Sequence, residues 1–182
     1  MKTTKILSPL SLFLFIIIIS TQPIMGQEES PYKDKVKTLD STLENLYAVI
    51  SGEKGEARDW DLFRYLFHPD AKLIPTRKQE DGNFDARYMS ADDYINSAGS
   101  YLVENGFFEK EIHRTENSFG SITQVFSTYE SFRSEGDEKP FARGINSIQL
   151  LNDGTRWWII NIYWTSESAE YPIPVQYLPT KE

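Results

Sequence analysis

The chain has 182 residues, 40% hydrophobic and 25% charged, the composition of an ordinary globular protein and a length that suits one domain. With 19 basic against 27 acidic side chains and no Lys/Arg cluster, it lacks the electrostatic footprint of a nucleic-acid binder. Zero cysteines exclude a disulfide framework, a thiol nucleophile and a Cys-based metal site, and His68 and His113 are too few for a three-histidine centre; no metal and no cofactor are expected.

The first 26 residues read as an export signal. Lys2 and Lys5 precede the apolar run from Leu10 to Ile19, and Pro23 to Gly26 close it with a helix-breaking end, the three-part layout of a secretory leader. An apolar core of roughly ten to fourteen residues falls short of the ~20 that span a bilayer, which argues against an uncleaved anchor. Cleavage after Gly26 is expected to leave the chain secreted or periplasmic, off the membrane, with no cysteine to carry a lipid. Loss of Lys2 and Lys5 leaves 17 basic and 27 acidic residues, a net charge of −10.

Downstream, Ser30-Pro31 predicts a helix start. Val36, Leu39, Leu43, Leu46, Tyr47 and Ile50 recur at three- and four-residue steps along one stripe, closed by Gly52. A shorter second helix carries Trp60, Phe63, Leu66 and Phe67 and stops at His68-Pro69, because the residue before proline is pushed out of helical geometry. Residues 71–76 form a short strand whose Pro75 places it at a sheet edge, and the charged stretch 77–85 is a loop. Ser90 and Asp93 make a capping box for a third helix, with Tyr94, Ile95, Ala98, Tyr101 and Leu102 at helical spacing and Gly106 at its end.

From Phe107 the period becomes two. Strands are predicted over 107–115, 121–132, 141–151 and 156–165, with connections too short for a crossover helix, so neighbours pair antiparallel. The segment 166–182, with Pro172, Pro174 and Pro179, is expected to lie extended along the surface. Residues 27–165 therefore form a single α+β domain, three helices followed by an antiparallel sheet.

That element order, with Phe67-His68-Pro69-Asp70-Ala71 after the second helix and Asp153-Gly154-Thr155-Arg156-Trp157-Trp158-Ile159-Ile160 on the last strand, resembles the nuclear transport factor 2-like superfamily. The resemblance covers roughly residues 35 to 165 and extends to its SnoaL-like polyketide cyclases and ketosteroid isomerases. It implies a cone: a curved sheet wrapped around the helices, whose enzymes hold an Asp or Glu, or an Asp–His pair, inside as general base.

A tight hairpin at Asp153-Gly154 pairs Asn152 with Thr155, then Leu150 with Trp157, Ile148 with Ile159 and Asn146 with Asn161. One face then holds Leu150, Trp157, Ile148, Ile159, Asn146, Asn161 and Tyr163. Extension through the earlier turns adds Tyr129, Ser127, Val125, Ile112 and Lys110. This is the expected concave side. Its polar members Lys110, Ser127, Tyr129, Asn146, Asn161 and Tyr163, with Tyr47 from the first helix and His68 after the second, are the candidate ligand-binding residues. The alternative is that Asn146 and Asn161 only hydrogen-bond one another and the nearby tyrosines.

The other face mixes Glu109, Glu111, His113 and Glu130 with Arg143, Trp158, Ile160, Ile162 and Trp164. Apolar bulk on an outer face is what an isologous contact uses, so a homodimer through Arg143, Trp158, Ile160, Ile162 and Trp164 is expected. On this register the inner face has no acid, which leaves His68 and Asp61 as candidate catalytic bases. The leading expectation is an exported domain holding a small, largely apolar ligand in the cone. The alternatives are a SnoaL-like isomerase, cyclase or hydrolase using His68 or Asp61, and a non-catalytic interaction domain with a filled cone.

Overall fold

Capping chemistry sets where the helices begin. In this computed structural model, which describes residues 30–180, α1 (Leu39–Ile50) starts at Thr38, whose hydroxyl accepts from Ser41 N while Ser41 Oγ accepts from Thr38 N. Ser30-Pro31 instead opens a turn leading into a single 3-10 turn, Lys33–Val36, that buries Val36. Asp59 caps α2 (Trp60–Leu66) by accepting from Leu62 N at 2.8 Å. Ser90 and Asp93 cap α3 (Ala91–Asn105) as the sequence predicts, and Gly106 ends it at φ 70°. The leader reading of residues 1–26 lies outside the described residues. Among the described residues no helix is long and apolar enough to cross a membrane.

α2 ends just before His68-Pro69 as expected, but the chain passes directly into β1 (Phe67–Lys78), so Phe67, His68 and Pro69 already belong to the strand expected to begin at Ala71. β2 (Phe84–Ala86), β3 (Phe108–Phe119), β4 (Ile122–Phe132), β5 (Ala142–Asn152) and β6 (Trp157–Ser166) complete one curved sheet in the order β2-β1-β6-β5-β4-β3. β3 to β6 form the expected antiparallel meander, but β1 joins β6 in parallel, which makes the sheet mixed. β1 is therefore not an edge. Pro75 is tolerated because its backbone faces the outer flank, where its carbonyl accepts from Arg87 N at 3.1 Å, so the missing N–H leaves no gap in the β1–β6 ladder.

The three helices fill the concave side. Leu43, Leu46, Phe63, Leu66 and Leu102 meet Val125, Ile148, Leu150 and Ile159 of the sheet in one core. The segment after β6 crosses the convex side: Ile173 is buried, Thr128 Oγ1 donates to Tyr177 O at 2.6 Å, and the Phe126 ring meets Tyr177 edge-on.

Two bulges decide which way the flanking strands face. The β5–β6 turn spans Asp153 to Arg156, not two residues, because Asp153 Oδ1 accepts from Thr155 N and Arg156 N at 2.7 and 2.9 Å. Lengthening the turn by two preserves side-chain phase, and Leu150 still opposes an inward residue, Ile159. Ile160 is then an extra residue in the ladder, after which Gln149 pairs with Asn161, Ile148 with Ile162 and Asn146 with Trp164. In β3, Arg114 opposes Ser127 as phase predicts, but Ile112 is unpaired and Glu111 and Glu109 then oppose Tyr129 and Ser131. Each bulge inverts the strand beyond it.

Candidate functional site

Between the helices and the sheet lies a hollow of about 250 Å³. Leu46 and Ile50 of α1, Phe63 of α2, Tyr94 and Leu102 of α3, and Ile162 and Trp164 of β6 give it an apolar wall. Into this wall project Glu109, Tyr129, Ser131, Asn146 and Ser166. The volume lies just below the ~300–1,000 Å³ of sites for drug-sized ligands, and the mixture of many apolar and few convergent polar groups is that of a small-molecule pocket.

Glu109 is the titratable group at its centre. Ser131 Oγ donates to Glu109 Oε2 at 3.1 Å, and Asn146 Nδ2 lies 3.4 Å from Oε1. Removal of the carboxylate from water pushes its pKa up to about 7, and the Ser131 and Asn146 hydrogen bonds offset this only in part. Two phenols share the space. Burial raises the pKa of Tyr94 and takes that of Tyr129 up to about 12, with the nearby Glu109 charge adding to both. Tyr94 stacks on Phe63 with ring centroids 5.3 Å apart, and its hydroxyl has no hydrogen-bond partner among the described residues. Tyr129 reaches Ser166 Oγ at 3.4 Å across Gly144, where a Cβ would meet the phenol oxygen. A carboxyl that changes charge near neutrality, faced by phenol donors, can take a proton from a bound molecule while the phenols hydrogen-bond its oxygen.

On the far side of Tyr47 a wider, more open groove of about 810 Å³ is lined by Asp40, Glu44, Glu53, Glu56, Glu111 and Glu135, with Lys110 and Arg114. Glu109 borders both spaces. Arg114 ties the groove together: its guanidinium bonds Glu111 at 3.2 Å, Glu116 at 2.7 Å and Asp40. Among the described residues no group of three or more His, Asp or Glu is placed to hold a metal ion.

The structure gathers Tyr47, Ser127, Tyr129 and Asn146 on the concave side: Tyr129 and Asn146 line the hollow, Tyr47 borders the groove, and Ser127 is buried beside Tyr47. Ser127 and Asn146 oppose each other on β4 and β5, and Tyr47 Oη lies 2.6 Å from Ser127 Oγ. It does not bring in Lys110, Asn161 or Tyr163. Beyond the β6 bulge Asn161 turns outward to donate to Gln149 at 3.0 Å, and Tyr163 is 46% exposed. Lys110, beyond the β3 bulge, is exposed over the Phe132 ring. The same inversion removes Ile162 and Trp164 from the convex set, since both line the hollow; Arg143, Trp158 and Ile160 stay outside. Arg143 pairs with Glu167 at 2.8 Å and with Glu130 at 3.9 Å, on the side away from Trp164.

The two bases expected from sequence are elsewhere. Phe67 takes the inward position at the start of β1, so His68 faces out, edge-on to Trp158 at 5.8 Å, with Asp70 N donating to its Nδ1. Asp61 is 84% exposed at the side chain and pairs with Arg64. Glu109 is the residue sequence reasoning missed. It leaves no trace in the hydrophobic pattern: the β3 bulge at Ile112 that turns it inward lies among polar residues, whereas in β6 the apolar inward series itself steps 157, 159, 162, 164.

No protein family profile matches the chain, and no curated protein matches it in sequence. Similarity to solved structures is confined to shape. A Nostoc punctiforme protein of unknown function with a cystatin-like fold superposes with a TM-score of 0.54 at 10% identity, over 71% of this chain and 89% of its own. A candidate calcium/calmodulin-dependent kinase II association domain from Exiguobacterium sibiricum gives 0.51 at 16% identity, over 79% and 98%. An NTF-2-like protein of unknown function from Silicibacter pomeroyi gives 0.49 at 15%, over 71% and 92%. Identities this low speak to fold alone. Three helices on a curved, unclosed mixed sheet make an α+β cone, a shape shared with the Nostoc punctiforme and Exiguobacterium sibiricum proteins.

Proposed function

We propose that this chain binds a small, neutral, largely apolar molecule in the hollow and exchanges a proton with it through Glu109. The observation that carries the reading is a single carboxyl in an apolar wall, hydrogen-bonded by Ser131 and Asn146, with its pKa near the working pH. A general base works best when its pKa lies near that of its surroundings. Tyr94 and Tyr129 supply donors for a carbonyl oxygen, so abstraction of a proton from the carbon beside a carbonyl is the reaction class that fits. This is the isomerase- or cyclase-type reading with the base moved from His68 or Asp61 to Glu109. Export of the chain and pairing of two copies through the convex face around Trp158 and Ile160 accompany this proposal as the context in which it works.

The test uses small ketones and enones in a thermal-shift screen, followed by deuterium exchange at the carbon next to the carbonyl of any compound that binds. A ligand at ~100 times its Kd should add about 2.7 kcal/mol of stability. Wild type should exchange the proton and Glu109→Gln should bind without exchange. Exchange at an equal rate in Glu109→Gln refutes the assignment of the base, and the absence of any stabilising compound refutes the binding.

A further inference from the structure

The hydrogen bonds that link the hollow to the groove run in one direction, and that direction follows from their far end. Arg114 Nη1 donates to Glu111 Oε1 at 3.2 Å, and the same guanidinium also holds Asp40 and Glu116; burial raises the Glu111 pKa, and this fixed positive charge with the Ser127 hydroxyl opposes that and favours the carboxylate. An ionised carboxylate only accepts. Ser127 therefore gives its proton to Glu111 Oε2. With that proton committed, Ser127 Oγ accepts from Tyr47, whose oxygen lies 2.6 Å away. Tyr47 Oη, having donated, is left as an acceptor for Asn146 at 3.1 Å. The atom that Asn146 turns toward Tyr47 must then be its NH2, and the second N–H of that same nitrogen points to Glu109 Oε1 at 3.4 Å.

We propose that Arg114, Glu111, Ser127 and Tyr47 are positioning residues, a hydrogen-bond chain of fixed direction that locks the Asn146 amide with its NH2 toward Glu109. Ser127 and Asn146 are 0% and 3% exposed, so water does not compete for these bonds. Reversal of the chain would turn the amide over and present a carbonyl oxygen to the Glu109 carboxylate, an acceptor against an acceptor. The device places the control of an interior carboxyl at an ion cluster on the rim, with no charge inside the hollow other than Glu109 itself. The titratable groups facing Glu109 are Tyr47 from α1, Tyr94 from α3 and Tyr129 from β4, while Glu111, two residues along its own strand, lines the groove beside it. No cation among the described residues pairs with it, so the amide is one of two donors that favour its charged form.

The chain acts in the ligand-free protein, so its test is separable from that of the binding proposal. The titration midpoint of the Glu109 carboxyl is read by carbon-13 NMR in wild type, Ser127→Ala, Glu111→Gln and Ser127→Thr. Loss of the Asn146 donor should raise the midpoint by about 0.5–1 pH unit in Ser127→Ala. Glu111→Gln should also raise it, whereas removal of a nearby negative charge by itself would lower it. Ser127→Thr, which keeps a hydroxyl, should return the midpoint to that of wild type. An unchanged or lowered midpoint in Ser127→Ala or Glu111→Gln overturns the proposal. Where Ser127→Ala does not fold, Tyr47→Phe is judged by the same rise.

Discussion

The β4–β5 hairpin and the strands that flank it obey different rules. From Ile122 opposite Leu151 to Ser131 opposite Ala142, the central ladder runs without interruption, and every second side chain keeps its face. β3 and β6 each carry one extra residue, Ile112 and Ile160, and beyond it every side chain changes face. The central hairpin supplies neutral polar groups of the hollow, Tyr129, Ser131 and Asn146. The bulged strands supply what gives it chemical character: the carboxyl of Glu109 and the apolar wall of Ile162 and Trp164. A regular ladder builds the floor of the cone, and two irregularities aim its reactive contents.

The largest expected effect comes from undoing the phase that a bulge sets. An alanine inserted between Asn161 and Ile162 shifts β6 by one further residue beyond the bulge, which turns Ile162 and Trp164 toward solvent and drives Tyr163 into the core. The cost should exceed about 4 kcal/mol, the range in which buried polar groups and lost core side chains combine. Ile160→Ala removes only the side chain of the extra residue and keeps the phase. Because Ile160 is only half-buried, it should cost about 1 kcal/mol. Urea unfolding of both variants separates phase from side chain; equal losses would show that the bulge does not set the faces.

This division explains what could be read from sequence. The stripe Leu43, Leu46, Tyr47 and Ile50 and the capping box at Ser90 and Asp93 are local patterns, and both are present as expected. Ser127, Tyr129 and Asn146 lie in the regular ladder, so alternation places them correctly. Lys110, Asn161 and Tyr163 fall beyond a bulge and come out inverted. In β6 the alternatives were degenerate: Trp158, Ile160, Ile162 and Trp164 make as apolar a series as the true one through Trp157, Ile159, Ile162 and Trp164. In β3 the buried residues beyond the bulge are acids, which hydrophobic periodicity cannot detect. The parallel β1–β6 pairing joins segments some 90 residues apart and leaves no local trace.

Glu109 gives the next largest effect, and its sign is fixed by burial. Its folded pKa of about 7 lies above the ordinary 4.5, so the folded state holds the proton more tightly than the unfolded chain. That contribution is complete below about pH 4.5 and is lost as pH rises through 7. Wild type should therefore lose up to about 3 kcal/mol relative to Glu109→Gln between pH 4.5 and 8. Parallel stability profiles for the two proteins would show that Glu109 is solvated, and hence that the β3 bulge does not deliver it to the hollow.

A smaller effect tests the regular ladder. A Cβ at Gly144 would stand 2.4 Å from both Tyr129 Oη and Thr165 O, the second of which is backbone and cannot move aside. Gly144→Ala should cost about 1–3 kcal/mol by overpacking and shift Tyr129 away from Ser166. The urea midpoint should fall at unchanged slope.

The smallest effects belong to the residues that the bulges turn outward. Lys110 and Tyr163 are both exposed, and neither has a hydrogen bond to the hollow. Lys110→Ala and Tyr163→Ala should each stay within about 0.5 kcal/mol of wild type and leave the Glu109 midpoint unmoved. The value of so small a result lies in its partner positions. Glu109 and Trp164 sit one residue away, on the same two strands, and differ from Lys110 and Tyr163 only in which side of the sheet they occupy. A shift of the Glu109 midpoint in Lys110→Ala would place that ammonium inside the cone and reverse the phase assigned to β3.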